Sequence, residues 1–324
     1  MLLKTLLQGD FMPAIITHNL FGQKAAQALP EGILNTDEEM IAFILGNQGP
    51  DPMFFRSLGT PSQIKVAHQL AGDLHNEHMS ESLTWLRRGV EHLPEEDYGV
   101  GRAFALGYLA HYTLDSTTHP YIFAQQYAVQ AEDPTLGNSG GPVHAVIEAD
   151  IDTVLLRKLL NMTPTEYDPQ SLVVFTDHIT EVAGALISQI ALGTLGQNFP
   201  ITEYAEAASD MKFIYQLMEP LGSTKSEIVK QIQMLFDDYS QIQGLCHREF
   251  PEGQSPWFNE EHYVWTCPFT NNKSTKGFLD LFNEALDKWP VFAQSYLEGK
   301  PCEDITHHIN FSGEPLNSTE RYEK

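Results

Sequence analysis

The chain has 324 residues, 42% of them hydrophobic, which is enough to bury one large core or two smaller ones. Asp and Glu number 43 against 19 Lys and Arg, so the formal net charge is −24. This charge opposes electrostatic attraction to a long nucleic acid or to an anionic lipid surface. A small soluble or zwitterionic molecule is therefore the favoured ligand, and the composition leaves the oligomeric state open.

Targeting signals and paired cysteines are not evident in the sequence. The N-terminal apolar run is too short for a signal peptide, and no segment approaches the ~20 apolar residues that span a membrane. Cys246, Cys267 and Cys302 are far apart and form no CxxC pair, which argues against a disulfide framework and a thiolate metal site. These features predict a cytoplasmic protein without a transmembrane segment, whose cysteines are reduced and pack in the interior.

Apolar residues recur at three- and four-residue steps through most of the chain, whereas period-two alternation is almost absent. The pattern predicts helices at 38–45, 64–86, 97–114, 143–160, 171–195, 203–218, 225–245 and 275–297. Pro and Gly clusters separate these runs. We therefore expect an all-α protein in which 12–324 forms a single domain and 1–11 is an N-terminal extension. Within that domain, 12–160 carries the motifs and 165–324 continues the helical pattern.

Three metal-binding side chains, His111, Asp115 and His119, follow one another at four-residue steps. Residues four apart on a helix differ by about 40° in azimuth and about 6 Å in rise, so His111 and Asp115 can share one ion. His119 lies about 12 Å further along than His111, too far for the same ion on an ideal helix. Pro120 disfavours helical geometry at His119 and predicts a helix end there. The spacing therefore indicates two adjacent sites.

A second pair, His144 and Glu148, repeats the four-residue step and can complete a site begun by His119. Neutral imidazole and carboxylate are the side chains that hold zinc and similar metals, so two such helical pairs predict metal binding. Asp150 and Asp152 follow on the same helix. We expect them to be solvated or to support the ligands, because carboxylates are usually exposed.

Further candidate ligands lie upstream. His18 stands among apolar residues, and Asp51 lies in a loop bracketed by prolines, where a stiff backbone can hold a ligand. Taken alone, His18 is more typical of a hydrogen-bonded core histidine and Asp51 of a turn residue. His75 and His78, three residues apart, offer two more imidazoles.

Other catalytic motifs are missing from the sequence. It contains no GxGxxG or GxxxxGK[ST] phosphate loop, no HExxH helix and no GxSxG elbow, so a Ser or Cys nucleophile is not supported. The remaining histidines have no such paired partners and are interpreted as structural or surface residues: His92, His178, His247, His262, His307 and His308.

Taken in order, these motifs resemble the zinc-dependent phospholipase C family, which is related in fold to the fungal-type single-strand nucleases. The resemblance covers roughly 12–160. It rests on Thr17-His18-x2-Phe21-Gly22, Gly49-Pro50-Asp51, the run 106–121 with its three ligands, and His144-x3-Glu148. It implies a multi-helix bundle with a metal cluster in a cleft between helices.

The resemblance also implies a distribution of ligands. One zinc ion would be surrounded by Asp51, His75, His111 and Asp115, and a second would be held by His119, His144 and Glu148. His68 or His78, instead of His75, could be the imidazole that corresponds to the family's ligand. In secreted family members a third zinc is bound by the counterparts of His18 and Asp115 and by an N-terminal tryptophan. Here no tryptophan occupies the N-terminus and seventeen residues precede His18, so two or three ions are expected. Translation from Met12, followed by removal of that methionine, would bring the amine of Pro13 close to His18.

The implied activity is zinc-dependent phosphodiester hydrolysis, most simply phospholipase C-type cleavage of a phospholipid or another small phosphodiester. The nucleophile would be a metal-activated water with a pKa of about 7, which Asp51 would orient or deprotonate while also binding metal. Three alternatives stay open. One is a nuclease or phosphomonoesterase acting through the same metal cluster, and another is a non-catalytic helical protein that zinc only braces. In the third, the histidines are hydrogen-bonded core groups and no metal binds.

Overall fold

The computed structural model describes residues 14–137, 139–218, 247–248 and 255–316. Within these ranges the protein is all-α, as the periodicity predicts, apart from one short β-hairpin. No helix in this part is long and apolar enough to cross a membrane. The expected extension 1–11, the predicted helix 225–245 and Cys246 lie outside the described residues. Cys267 and Cys302 are buried and free, as predicted.

Eleven α-helices occur in the described ranges. They are α1 (Ile15–Gln27), α2 (Asp37–Gly46), α3 (Pro61–Asn76), α4 (Met79–Glu91), α5 (Glu95–Glu132), α6 (Gly140–Leu160), α7 (Pro164–Tyr167), α8 (Asp177–Leu195), α9 (Thr202–Met218), α10 (Phe278–Leu297) and α11 (Cys302–Thr306). Short 3-10 turns lie at Asp51–Phe55, Pro134–Leu136, Pro169–Ser171 and Pro256–Phe258, and strand β1 (Trp265–Thr266) pairs antiparallel with β2 (Lys273–Ser274). Four helices begin after a threonine whose hydroxyl accepts a backbone N–H of the first turn: Thr36, Thr60, Thr163 and Thr176.

Helix α5 is the central element, and most of its residues between Val100 and Ile122 are buried. Small residues let its neighbours approach closely: a Cβ added at Gly107 would lie 2.1 Å from the carbonyl oxygen of Phe43 in α2. Because α2 ends against α5 in this way, the turn that follows α2 is held over the face of α5 that carries His111.

Three predicted helix boundaries are wrong. The predicted helix 64–86 is two helices, α3 and α4, because His78 takes a left-handed backbone conformation with φ 64°. Helix α8 begins at Asp177 rather than at 171. Helix α5 does not end near His119 but continues through Pro120 to Glu132. A proline removes one helical hydrogen bond and adds a local clash, and the burial of this stretch outweighs that cost.

Candidate metal centre

The eight predicted ligands come together from five elements. They are His18 on α1, Asp51 on the 3-10 turn after α2, His75 on α3, His111, Asp115 and His119 on α5, and His144 and Glu148 on α6. Each is at most 5% exposed. Eight buried titratable groups in one region need partners or a metal, because burying a charged group alone is costly.

The first group lies where α3, α5 and the 3-10 turn meet. The Asp51 Oδ1 atom is 3.0 Å from His75 Nε2 and 3.8 Å from His111 Nε2. His111 Nε2 is also 3.1 Å from Asp115 Oδ2. His18 joins this group from α1, with its Nε2 3.2 Å from Asp115 Oδ1. Potential ligand atoms of His18, Asp51 and His111, and likewise of His75, His111 and Asp115, lie within 4.8 Å of one another.

The second group lies between α5 and α6. Glu148 Oε1 is 3.2 Å from His119 Nε2 and 3.3 Å from His144 Nε2, and all three residues offer ligand atoms within 4.8 Å of one another. His119 reaches this position from inside α5, although Pro120 predicted a helix end. Asp115 Oδ1 lies 3.8 Å from His119 Nε2, so the two groups are contiguous.

Four imidazoles share one hydrogen-bonding pattern. In each, Nδ1 faces an oxygen that can only accept, which favours a hydrogen on Nδ1 and leaves Nε2 directed toward the interior. His111 Nδ1 also lies 3.2 Å from His18 Nδ1. The acceptors are the Ala71 carbonyl for His75 (2.8 Å), the Asn47 carbonyl for His111 (3.3 Å), the Phe311 carbonyl for His119 (3.1 Å) and Gln126 Oε1 for His144 (2.9 Å). Metal-binding histidines almost always donate their other ring N–H to such an oxygen, which fixes the tautomer and the ring orientation.

The donor atoms that face the interior lack conventional partners. Six of them are buried without a hydrogen bond of acceptable geometry: Asp51 Oδ1, His75 Nε2, His111 Nε2, Asp115 Oδ2, His144 Nε2 and Glu148 Oε2. Leaving one buried polar atom unsatisfied typically costs about 1–3 kcal/mol, so six in one region demand an explanation. A divalent cation would satisfy them, and a set of imidazole nitrogens and carboxylate oxygens suits zinc.

The charges of the groups support the same conclusion. Burial tends to raise the pKa of Asp115, but His111 and two further imidazoles outweigh this effect and hold that pKa well below its usual value. Burial tends to lower the pKa of His119, but Asp115 and Glu148 raise it to about 9. Burial likewise opposes ionisation of Glu148, whose pKa nevertheless falls to about 2 beside His144 and His119. Asp115 and Glu148 are thus in their metal-binding form, while a metal must displace a proton from His119.

The family model of zinc-dependent phospholipase C matches residues 17–191, more than half of the chain. The chain belongs to the zinc-dependent phospholipase C family. Neither a search of curated proteins nor a search of solved structures found a significant match. The family name indicates a zinc-dependent hydrolase that acts on phospholipid, and the matched residues include all eight candidate ligands.

The structure distinguishes among the three imidazoles that the sequence left open. Of the three, His75 alone joins the other candidate ligands. His68 Nε2 instead faces the carbonyl oxygen of Arg56 at 2.9 Å, and His78 stands at the break between α3 and α4, 3.7 Å from a carboxylate oxygen of Glu77. Because α3 ends at Asn76, His78 does not continue the helical face that His75 occupies, which residue spacing alone does not reveal.

Asp152 has a larger role than the sequence indicates. Its carboxylate is fully buried and accepts the backbone N–H of Ile16 at 2.9 Å and of Thr17 at 2.7 Å, both at the start of α1. His247 Nε2 donates to the same carboxylate at 2.9 Å, which agrees with its predicted structural role. Asp152 therefore holds the helix that carries His18 against α6, the helix of the second group.

Two supporting residues were missed by sequence reasoning. Gln126 lies seven residues after His119, two turns along the same face of α5, and its side chain orients His144. That spacing was a usable signal. Phe311, which orients His119, lies 192 residues away in a segment without helical periodicity, and no sequence signal points to it.

A cleft of about 240 Å³ opens beside the metal centre. One histidine of each group, His75 and His144, forms part of its wall. Apolar and uncharged side chains, Phe54, Phe123 and Ser312 among them, form much of the remainder. The side chains that could hold the expected metal cluster therefore lie together beside a cleft between helices.

Proposed function

We propose that this member of the zinc-dependent phospholipase C family hydrolyses a phosphodiester, most simply a phospholipid, by phospholipase C-type cleavage. One observation carries the proposal. Four histidines have Nδ1 fixed on an oxygen acceptor and Nε2 turned, together with ionised carboxylates, toward one interior region that borders an open cleft.

The ligand assignment follows the two groups. Asp51, His75, His111 and Asp115 would hold one zinc ion, and His119, His144 and Glu148 a second. The short distances within each group and the six unsatisfied donor atoms support this division. His18, through its approach to Asp115, would take part in a third site, so the expected number of ions is two or three.

Zinc supplies, when bound, Lewis acidity toward a phosphoryl oxygen and a lower pKa of coordinated water, about 7. The chain contributes orientation and charge. Asp51 is our candidate for orienting the attacking water or accepting its proton, because its Oδ1 atom is buried and unbonded, 3.0 Å from the Nε2 atom of His75. The choice is supported by two neighbours of Asp51 that line the cleft: His75, which it contacts, and Phe54 from the same turn.

The cleft favours a compact substrate. Among the described residues that line it, none is Lys or Arg, so it offers no side-chain cation to the successive phosphates of a nucleic acid. The net charge of −24 acts in the same direction. A single phosphodiester with a neutral or zwitterionic head group needs no row of cationic side chains and is repelled little by the negative net charge.

Zinc analysis and a substrate panel test the proposal. Protein expressed with ample zinc is assayed on phosphatidylcholine vesicles, a soluble phosphodiester, a phosphomonoester and single-stranded DNA. We expect bound zinc and release of a phosphorylated head group, both lost in His111→Ala and Glu148→Ala. His92→Ala, which changes an exposed histidine, is the matched control.

Each other outcome has a defined meaning. Cleavage of DNA alone or of the monoester alone would favour the corresponding alternative on the same centre. Zinc without hydrolysis would favour a structural role, and activity that survives both substitutions would contradict the proposal.

A further inference from the structure

A loop near the C-terminus lies against the metal centre although the family model ends far before it. This C-terminal loop, 309–315, is closed by a β-bridge between Ile309 and Pro315. The backbone N–H of Asn310 donates to the carbonyl oxygen of Glu314 at 3.0 Å, and its Oδ1 accepts the N–H of Glu314 at 2.9 Å. The loop is thus a defined structure with its own internal hydrogen bonds.

The loop is attached to two of the helices that carry the first group, α3 and α5. Tyr112 on α5 donates its hydroxyl to the carbonyl oxygen of Ile309 at 2.9 Å. On the α3 side, the N–H of Phe311 donates to the carbonyl oxygen of His75 at 3.2 Å, and Asn310 Nδ2 donates to that of Asn76 at 3.2 Å. A displacement of the loop would therefore shift, or break hydrogen bonds to, two helices that carry candidate ligands.

Phe311 is the residue of the loop that meets the centre. Its carbonyl oxygen accepts the Nδ1 hydrogen of His119, and its ring packs against His75 and His111 with centroid separations of 4.9 and 5.3 Å. Phe311 is only 1% exposed. One residue thus orients an imidazole of the second group through its backbone and borders two imidazoles of the first through its side chain.

Gly313 permits the loop to reach this position. Its φ is 76°, and an added Cβ would lie 2.4 Å from Pro120 Cγ and 2.8 Å from the carbonyl oxygen of Ser116. Pro120 has no N–H to donate to Ser116, its partner in a regular helix, so the surface of α5 is altered where Gly313 packs. The proline inside α5, next to His119, is therefore part of the surface against which the loop packs.

We infer that the C-terminal loop is a positioning device for the metal centre, in which the Phe311 carbonyl sets the tautomer and direction of His119 and Gly313 sets the position of that carbonyl. The inference rests on the proposed zinc binding. Its physical basis is that oxygen acceptors behind metal-binding histidines tune the metal affinity through ring orientation and basicity.

The test compares Gly313→Ala with Gly299→Ala. Both glycines have left-handed backbones, with φ 76° and 73°, so alanine strains both alike, but the Cβ position at Gly299 has no atom within 4 Å. Zinc content is followed as a chelator removes the metal. We expect Gly313→Ala to weaken the zinc held by the second group by about 10–100-fold, the usual effect of losing a supporting hydrogen bond. Gly299→Ala should bind zinc as the unmodified protein does.

A spectroscopic readout separates positioning from general destabilisation. In zinc-loaded, histidine-labelled protein, the Nδ1–H resonance of His119 should exchange slowly with solvent, and faster in Gly313→Ala. Phe311→Leu keeps the backbone carbonyl and should keep that resonance slow. It also provides a second variant should Gly313→Ala fold poorly. Fast exchange in Phe311→Leu, or an unchanged resonance and zinc affinity in Gly313→Ala, would overturn the inference.

Zinc binding by the unmodified protein separates the two proposals. Zinc retained equally by both glycine variants would overturn the role of the loop and leave the proposed function intact. A protein that binds no zinc at all would contradict both.

Discussion

His18 Nε2 and Asp115 Oδ1 lie 3.2 Å apart, and the other carboxylate oxygen, Oδ2, is 3.1 Å from His111 Nε2. Asp115 Oδ1 also lies 3.8 Å from His119 Nε2. Asp115 therefore contacts histidines of α1 and of both ligand groups, whereas Glu148 contacts only the second group. This asymmetry makes Asp115 the common member of the centre.

Asp115→Asn and Glu148→Gln should differ in how many zinc ions they affect. Both substitutions keep the size of the side chain and remove its charge. We expect Glu148→Gln to weaken the binding of one zinc ion and Asp115→Asn that of at least two, each by at least ~100-fold in affinity. The loss of a ligand should reduce the affinity no less than the loss of a residue that supports a ligand. Zinc per chain, measured at buffered free zinc concentrations, checks this. Equal losses in both variants would contradict a shared role for Asp115.

The metal-free protein should be most stable in mildly acidic solution. The pKa of His119, raised from 6.5 to about 9, contributes stability that is complete below pH 6.5 and lost as the pH rises through 9. The pKa of Glu148, lowered from 4.5 to about 2, contributes stability that is complete above pH 4.5 and lost as the pH falls through 2. Both contributions are present between pH 4.5 and 6.5, and they arise in part from the same contact, because each group shifts the pKa of the other.

Thermal unfolding with and without zinc tests that pH dependence. With a chelator, the melting temperature should be higher at about pH 5.5 than at about pH 9, and His119→Gln should reduce the alkaline decline. Zinc should raise the melting temperature more at about pH 8 than at about pH 5.5, because it binds the neutral imidazole. A metal-free protein with the opposite pH preference would show that His119 is not protonated as described.

Local geometry explains which parts of the centre could be predicted from sequence. The four-residue steps His111-x3-Asp115 and His144-x3-Glu148 place their side chains on one helical face whatever the surrounding fold, and the structure brings each pair together. The helix end that Pro120 predicts at His119 is wrong because that prediction, too, considers local geometry alone. The local preference of Pro120 against helix is real but is outweighed by tertiary burial of α5, which a rule about neighbouring residues does not include.

The remaining parts depend on contacts between distant segments. His78 lies in the left-handed break between two helices of similar periodicity, and His68 faces the carbonyl oxygen of Arg56, so residue spacing does not reveal why His75 is the imidazole that enters the centre. The carbonyl of Phe311 is a backbone group, and any residue would provide one, so its contact with His119 has no signature in the sequence. The fold class followed from periodicity, whereas the supporting hydrogen bonds follow from the packing of α5 against the C-terminal loop.

Arg56 should be important for stability and for the position of Asp51. It follows the 3-10 turn directly and is buried, with Nε 3.0 Å from Glu203 Oε2 and Nη1 2.8 Å from Asp210 Oδ2. Arg56→Met would leave two buried carboxylates without their cation, so we expect a loss of about 3–5 kcal/mol in the free energy of unfolding. Denaturant unfolding measures this loss.

Two further variants control the Arg56 experiment. Arg88→Met removes an exposed arginine and should change stability little. Arg56→Met combined with Glu203→Gln should recover part of the loss, because one uncompensated charge is then removed. A double variant no more stable than Arg56→Met would show that packing of the arginine, rather than charge, accounts for the loss.

Asp152→Asn should loosen the start of α1, and with it His18. The carboxylate accepts two backbone N–H groups, from Ile16 and Thr17, and an N–H of His247. An asparagine keeps one accepting oxygen and turns an N–H₂ group toward donors, so at least one buried donor is left unpaired, at a cost of about 1–3 kcal/mol.

Asp150→Asn is the matched control, because Asp150 is equally buried on α6 but binds Arg248 and Trp257 instead. Hydrogen exchange of the backbone amides of Ile16 and Thr17 should accelerate only in Asp152→Asn, together with weaker binding of any zinc that depends on His18. Acceleration in both variants would indicate a general loosening of α6 rather than a specific hold on α1.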